Sequence, residues 1–196
     1  MQRMEPPIVF KTVGQASKIR IVFDASCRSS SGVSLNNALL VGLTVQQDLI
    51  SILMRFRFFT YVITADIIKI YRQILMHPFQ TRLQRILWRN DLSANIDTYE
   101  LTTITSGTAS MSFLATRCLK HLAEQHAHQF TRGSACVFRD FYVDDMFTGA
   151  DTVNELKLIR DKTIQLLKLG AFELSKWVSN CPELLKTDNR DRHYQR

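Results

Sequence analysis

Three aspartates and the apolar segments beside them most constrain how this 196-residue chain can fold. Asp66 ends an apolar run at residues 61–65, and Asp144 and Asp145 lie between two apolar arms. The run predicts a strand, and the two arms predict a hairpin with the acidic pair at its tip. Neighbouring side chains can approach one site at a tight turn, whereas neighbours in a regular strand face opposite sides. We therefore expect the fold to bring the three carboxylates together.

Clustered carboxylates on rigid elements suit one kind of chemistry, the transfer of a phosphoryl group to a hydroxyl. Two divalent metal ions about 3.5–4 Å apart can neutralise charge on the attacking and leaving oxygens. Magnesium prefers oxygen ligands and keeps several waters, so two or three carboxylates suffice. The alternative is structural: Asp66 caps a turn, and the acidic pair lies on an exposed hairpin.

The order of the other segments mixes helices with antiparallel hairpins and predicts an α+β fold. Strands are expected at residues 18–24, 83–89, 98–105 and 171–178, with the acidic hairpin across 136–149. Helices are expected at residues 44–57, 108–126 and 152–170, the first and last opened by the capping boxes Thr44-x-x-Gln47 and Thr152-x-x-Glu155. We expect an irregular N-terminal segment at 1–17, one domain at 18–185 and a charged tail at 186–196.

The net charge favours a polyanionic partner. Lys and Arg number 25 against 18 for Asp and Glu, giving +7, and contacts to phosphates release counterions. A basic protein that binds no nucleic acid is the alternative. No apolar stretch is long enough to cross a bilayer, so no membrane partner is expected.

The cysteines and histidines do not form metal-binding patterns. The cysteines have no C-x-x-C pair, which favours reduced thiols in an intracellular protein over a zinc site or a disulfide scaffold; they are Cys27, Cys118, Cys136 and Cys181. The histidines on and after the expected helix at 108–126 lack ligand spacing and are expected at the surface; they are His121, His126 and His128.

Several motifs, in a consistent order, resemble those of reverse transcriptases. Tyr142-Val-Asp-Asp in an apolar hairpin resembles the family's signature, and Asp66 with Tyr71 five residues later resembles its first palm motif. Thr105-Ser-Gly107 resembles the start of the second palm motif. Residues 18–24 resemble the fingers strand, and residues 170–176 (GAFELSK) resemble the motif that follows the catalytic hairpin. Across residues 18–185, segments such as FDAS, YRQI, LQRILWR, FLATRCL and KWVSNCPELL are similar to the Pao/BEL class of LTR retrotransposons.

The resemblance implies an RNA-directed DNA polymerase built from fingers and palm, with an antiparallel palm sheet backed by helices. It implies two Mg²⁺ ions, with Mn²⁺ as a substitute, held by Asp66, Asp144 and Asp145. Asp66 and Asp144 would bind both ions, and Asp145 would lie near the primer terminus.

The same resemblance assigns residues to the incoming nucleotide. Lys18 and Arg20 would contact the triphosphate, for which the planar fork of arginine is suited. Tyr71 would lie under the sugar, Gly107 would allow close backbone approach, and Lys176 would protonate the leaving pyrophosphate. The alternatives are a solvated strand face, a core tyrosine, a turn glycine and an exposed lysine, respectively.

The chain departs from the family pattern at two positions. Ser106 stands where a glutamine or another long residue often precedes the motif glycine, and Ser26 stands where a basic residue often follows the fingers aspartate. No thumb, connection or ribonuclease H segment is expected in the chain. The implied partners are an RNA or DNA template with primer, deoxynucleoside triphosphates and the rest of a retrotransposon polyprotein, in a cytoplasmic particle or the nucleus. A catalytically silent nucleic-acid-binding fragment, or a decayed retroelement copy, is the alternative.

Overall fold

The computed structural model describes residues 8–13, 16–21 and 23–185, with only the backbone described before residue 23. The strands in these ranges are β1 (Ile8–Val13), β2 (Ala16–Ile21), β3 (Tyr61–Ile67), β4 (Arg85–Trp88), β5 (Asp97–Glu100), β6 (Phe141–Tyr142), β7 (Asp145–Ala150) and β8 (Leu174–Ser179). The α-helices are α1 (Leu35–Ala38), α2 (Leu49–Phe58), α3 (Ile70–Gln73), α4 (Met111–Gln125), α5 (Thr131–Arg139) and α6 (Val153–Leu169). This combination of helices and antiparallel strands confirms the α+β prediction.

The chain divides into two compact units. Unit 1 contains the described residues up to Leu43 together with Tyr71–Leu114. Unit 2 contains Thr44–Ile70 and the described residues from Ala115 onward. Each unit is therefore assembled from two separate stretches of chain.

Unit 2 is built on a four-stranded antiparallel sheet in the order β6-β7-β3-β8. The central strand β3 alternates buried with half-buried residues, as expected for a strand with two different faces. Ile63, Ala65 and Ile67 are buried on one face. Asp66, the penultimate residue of β3, belongs to the opposite face, which is why an acidic residue can stand in an otherwise apolar strand without being enclosed.

Helices pack against the sheet of unit 2. On β7, Phe147 meets Phe56 of α2 edge to face, with ring centroids 5.9 Å apart. Gly149 leaves room for Phe59, whose ring carbon lies 2.6 Å from where a Cβ would stand. Helix α6 contacts β3 and β7 and buries Leu156, Leu166 and Leu167.

The boundaries of α6 follow from its capping residues. The Thr152 side chain accepts a hydrogen bond from the Glu155 amide, and Gly170 closes the helix. The sequence predicted a helix over these residues, and the structure confirms it. The expected helix at residues 108–126 is likewise confirmed as α4.

Unit 1 contains two hairpins, β1–β2 and β4–β5. Gln84 is buried at the end of the second hairpin and ties down the segment that follows β5. Its amide nitrogen donates to the carbonyls of Leu101 and Thr103, and its oxygen accepts from the Thr105 amide at 3.1 Å. The antiparallel pairing of β4 with β5 confirms the hairpin predicted from residues 83–89 and 98–105, with shorter strands than expected.

Four boundary predictions are wrong, including the strand expected at residues 171–178, which begins only at Leu174. Residues 1–17 were expected to be irregular, yet Ile8–Val13 forms β1, because β2 supplies an antiparallel partner. Helix α2 begins after Asp48, whose side chain accepts from the Ser51 amide, and not at Thr44. The first arm of the acidic hairpin was expected from residue 136. Instead, residues up to Arg139 belong to α5, and only Phe141–Tyr142 forms β6.

Two further sequence expectations can be compared with the structure. All four cysteines lie within the described residues and none of them forms a disulfide, with Cys136 and Cys181 buried. Within the described ranges, no helix has the length and apolar character needed to cross a membrane. The charged tail expected at residues 186–196 lies outside the described residues.

Candidate functional site

The strand register of unit 2 brings the predicted aspartates together. Asp66 at the end of β3 pairs directly with Asp145 at the start of β7. Side chains of directly paired residues share a face of the sheet. Asp144 precedes Asp145 in the connecting turn, and its carbonyl accepts a hydrogen bond from the Ile67 amide at 2.9 Å. The three residues, hereafter the carboxylate cluster, therefore meet at one end of the sheet.

The turn that carries Asp144 has a strained backbone, and a side chain from another segment of the chain holds it in place. Tyr142 pairs with Asp145, which leaves Val143 and Asp144 as a two-residue turn. Val143 has φ 55°, a left-handed conformation that is unfavourable for a β-branched residue. Its amide donates to the side-chain oxygen of Gln46 at 3.0 Å. Gln46 therefore anchors the turn, a role that no sequence motif indicated.

Solvent reaches the cluster because α2 covers only part of the sheet face. Phe147 and Gly149, which share a face with Asp145, contact Phe56 and Phe59. Asp145 lies beyond this cover and is exposed. A ligand can therefore approach the carboxylates while their strands remain packed.

Lys176 reaches the cluster from the neighbouring strand β8. Its Nζ donates to Asp66 Oδ2 at 2.7 Å. The lysine side chain is 65% exposed and that of Asp66 only 21% exposed, so an exposed cation contacts a recessed anion. The structure thus joins four of the predicted site residues: Asp66, Asp144, Asp145 and Lys176.

Two ionisable groups of the cluster, Asp145 and Lys176, have raised pKa values. Partial burial raises the pKa of Asp145, and the nearby charges of Asp144 and Asp66 raise it further. The hydrogen bond to Asp66 raises the pKa of Lys176, and the three acidic charges add to the effect. Lys176 therefore keeps its proton and its positive charge at neutral pH.

The donor set suits a hard divalent cation, because all its side-chain donors are carboxylate oxygens on strand ends or a tight turn. The carboxylates are not already arranged as ligands: among the described residues, no group of three His, Cys, Asp or Glu is positioned to hold a metal ion. A ligand arrangement would bring three negative charges close together. In addition, the Asp66 carboxylate already forms an ion pair with Lys176. The three carboxylates thus match magnesium in donor chemistry, and their arrangement as a metal site stays a prediction. His121 and His128 are exposed, as the sequence predicted, whereas His126 is half-buried.

A second acidic group, Asp140, lies buried behind the hairpin and was missed by sequence reasoning. Its Oδ2 accepts from Thr148 Oγ1 at 2.8 Å, and its Oδ1 lies 3.7 Å from Arg55 Nε of α2. Burial raises its pKa, while Thr148 and the arginines oppose the increase. Asp140 therefore links α2 to the strands of the acidic hairpin. An aspartate next to an apolar arm gave no signal that could separate this role from simple exposure.

Gly107 in unit 1 has a structural reason to be glycine. Its φ is 101°, and a Cβ there would stand 2.0 Å from the Phe23 carbonyl oxygen. Asn36 holds the same turn, with its side-chain nitrogen donating to the Gly107 carbonyl and its oxygen accepting from the Ala109 amide. Close backbone approach to Phe23 explains the residue without a nucleotide, so the nucleotide contact stays a prediction.

The other expected nucleotide contacts also stay predictions. Tyr71 lies in α3, half-buried, in unit 1. Lys18 and Arg20 both lie on β2, as the predicted fingers strand requires. Their side chains lie outside the described part of the structure.

Two solved foamy virus structures are similar to this chain. One is the foamy viral protease-reverse transcriptase dRH in complex with double-stranded DNA, with a TM-score of 0.64, 18% identity and coverage of 89% of this chain and 27% of that chain. The other is the prototype foamy virus protease-reverse transcriptase CSH mutant, with a TM-score of 0.65, 18% identity and coverage of 89% of this chain and 20% of that chain. The chain thus spans about a quarter or less of their length. At this identity the comparison establishes a reverse-transcriptase-like fold.

No family model matches the sequence, and no curated protein matches it.

Proposed function

We propose that the chain is the polymerase-bearing part of a reverse transcriptase, from a Pao/BEL-class LTR retrotransposon polyprotein. The observation that carries the proposal is the direct pairing of Asp66 with Asp145, with Asp144 in the adjoining turn. The sequence motifs and the strand register both favour the same three carboxylates. The similarity in fold to foamy virus protease-reverse transcriptase supports the assignment.

The proposed reaction adds a deoxynucleotide to the 3′-hydroxyl of a primer on an RNA or DNA template. Asp66 and Asp144 would hold two magnesium ions, and manganese could replace them. When bound, these ions would neutralise charge on the attacking and leaving oxygens. Asp145, beside them on β7, would shape the site near the primer terminus.

Lys176 would be the proton donor in this reaction. It is the cation of the cluster, its Nζ lies 2.7 Å from Asp66 Oδ2, and its side chain is largely exposed. A positioned acid can give its proton to the leaving pyrophosphate as negative charge develops there. The roles implied for Tyr71, Gly107, Lys18 and Arg20 remain part of the same proposal.

Primer extension tests the function. The purified chain, supplied with magnesium, deoxynucleotides and a primed RNA template, should lengthen the primer. Asp144→Asn should reduce the rate at least about a hundredfold, as removal of a group that stabilises a transition state does. Asp151→Asn is the matched control, because Asp151 follows the opposite end of β7 and is exposed. Equal extension by Asp144→Asn and Asp151→Asn would refute the proposal.

A catalytically silent nucleic-acid-binding fragment is the second candidate. The +7 charge favours it, since basic surfaces bind phosphate backbones without any chemistry. Salt-sensitive binding of a primed duplex by the wild-type chain, with no extension in magnesium or manganese, would support this candidate over the polymerase.

A further inference from the structure

Lys176 and Asp66 form an ion pair within the carboxylate cluster. The Nζ–Oδ2 distance is 2.7 Å, within the range of a charge-assisted hydrogen bond. Asp66 is also a residue that the proposed metal site requires. Two cations would therefore bind the same Asp66 carboxylate: the Lys176 ammonium, which contacts it in the structure, and the metal ion of the proposed site.

The backbone of β8 is shaped to aim this lysine at the cluster. β8 pairs Ser175 with Asp66 and Val178 with Thr64, so two residues of β8 oppose Ala65 alone. Lys176 is the first of these two residues, and its φ is 54°. A bulge of this kind redirects a side chain at the cost of local strain. Regular pairing would have turned Lys176 and Ser175 to opposite faces.

The charges of the cluster explain why a resident cation stabilises it. Asp66, Asp144 and Asp145 contribute three negative charges, and the ammonium of Lys176 interacts with all three. Like charges at one strand end repel each other, and an opposite charge within hydrogen-bonding distance relieves the repulsion. The side chain that relieves it here is long, flexible and mostly exposed, so its removal disturbs no packed core.

We propose that Lys176 is the built-in counter-cation of the carboxylate cluster, and that it competes with a divalent metal ion for Asp66. The inference rests on the proposed metal site and adds a mode of regulation to it. In the absence of metal, Lys176 holds Asp66 and keeps the cluster assembled. Metal binding at Asp66 requires the ammonium to move away, and the freed ammonium is then available to an incoming phosphate group.

The competition is measured by metal binding without any catalysis. Free Mn²⁺ is followed by electron paramagnetic resonance during titration of the whole chain, of Lys176→Gln and of Lys168→Gln. Lys168 is an exposed lysine in the last turn of α6, so its variant loses the same charge outside the ion pair. Lys176→Gln should bind Mn²⁺ about fivefold more tightly than the other two proteins, the size expected when an exposed ion pair stops competing.

The wild-type chain supplies a second readout that needs no variant. Nuclear magnetic resonance of the lysine ¹⁵Nζ groups should show the Lys176 signal shifting as diamagnetic Mg²⁺ is added, with a midpoint equal to the metal Kd. Equal or weaker Mn²⁺ binding by Lys176→Gln, or a Lys176 signal that does not respond to bound Mg²⁺, would overturn the competition and leave the metal site standing. Absence of metal binding by all three proteins would overturn the metal site and the inference together.

Discussion

At the residue scale, the site depends on side chains that lie outside the acidic motifs. The side-chain oxygen of Gln46 accepts a hydrogen bond from the Val143 amide, and the ammonium of Lys176 donates one to the Asp66 carboxylate. Val143 and Lys176 are also two of the four non-glycine residues with positive φ in the described part of the chain. Backbone strain of this kind persists where surrounding contacts fix it, and it concentrates at functional sites. The geometry of the carboxylates therefore rests on a few supporting contacts that can each be removed.

Truncation of Gln46 should loosen the turn that carries Asp144. Gln46→Ala removes the acceptor of the Val143 amide, at a cost of about 0.5–1.5 kcal/mol. A less constrained Asp144 should also weaken Mn²⁺ binding severalfold. Gln47→Ala, at the exposed adjacent glutamine, is the matched control. Urea unfolding and Mn²⁺ titration of both variants test this, and a Gln46→Ala protein that binds Mn²⁺ as tightly as Gln47→Ala would contradict the anchoring role.

Asp140 should give the stability of the chain a specific dependence on pH. Its pKa in the folded chain is raised above the ordinary value of 3.8, so the folded state holds a proton that the unfolded state has lost. This contribution is complete below about pH 3.8 and disappears as pH rises through the folded pKa. Relative to Asp140→Asn, which cannot titrate, the wild type should therefore lose stability as the pH rises from 3.8 through the raised pKa of the folded chain. Urea midpoints across this interval measure the difference, and a constant or growing advantage of the wild type would contradict the prediction.

At the scale of the elements, the sequence predicted those whose signals are local. The capping threonine and terminal glycine of α6 defined its ends, and the apolar run at residues 61–65 identified both strand β3 and the aspartate that follows the run. Helix α5 was missed because Cys136, Val137 and Phe138 favour strands, while its buried positions follow a helical period. Packing on α6 overrides that local preference. The bulge at Lys176 was equally invisible, since it depends on pairing with a strand more than a hundred residues away.

The contact between α5 and α6 should make a normally stabilising substitution destabilising. Gly133 lies in α5, and a Cβ there would stand 2.6 Å from the Lys162 carbonyl oxygen of α6. Glycine to alanine in a helix ordinarily gains about 1 kcal/mol. Here Gly133→Ala should instead cost about 1–3 kcal/mol, because rigid backbone must move.

Thermal unfolding measures this effect, with Ala135→Gly at an exposed position of α5 as the companion variant. That substitution reports the helix propensity alone, and it should cost about 1 kcal/mol. A Gly133→Ala protein as stable as the wild type would show that the two helices separate easily.

At the scale of the whole molecule, charge is distributed in two opposing ways. The chain carries a net charge of +7, yet the cluster gathers three carboxylates around one ammonium. A basic chain attracts the nucleic acid backbone over long range, and a local acidic site attracts divalent cations. The two features are complementary in the function proposed.

Binding of a primed duplex should therefore weaken steeply with salt. Between about 50 and 200 mM salt, the affinity should fall at least about tenfold, because each phosphate contact releases counterions. Fluorescence anisotropy with EDTA present measures this without metal. Replacing Lys18 and Arg20 by glutamine should reduce the salt slope by roughly one unit per lost contact. An equal reduction from glutamine at Lys162 and Lys168 of α6 would argue against a specific role for the fingers strand.

The most direct test of the central claim is a crystal structure of the chain with Mn²⁺, primer-template and an incoming nucleotide, recorded at a wavelength that reveals anomalous scattering from manganese. The account predicts two manganese peaks about 3.5–4 Å apart, both within bonding distance of Asp66 and Asp144, with Lys176 no longer on Asp66. Manganese bound elsewhere, or an intact ion pair between Lys176 and Asp66 with no manganese beside it, would contradict the account.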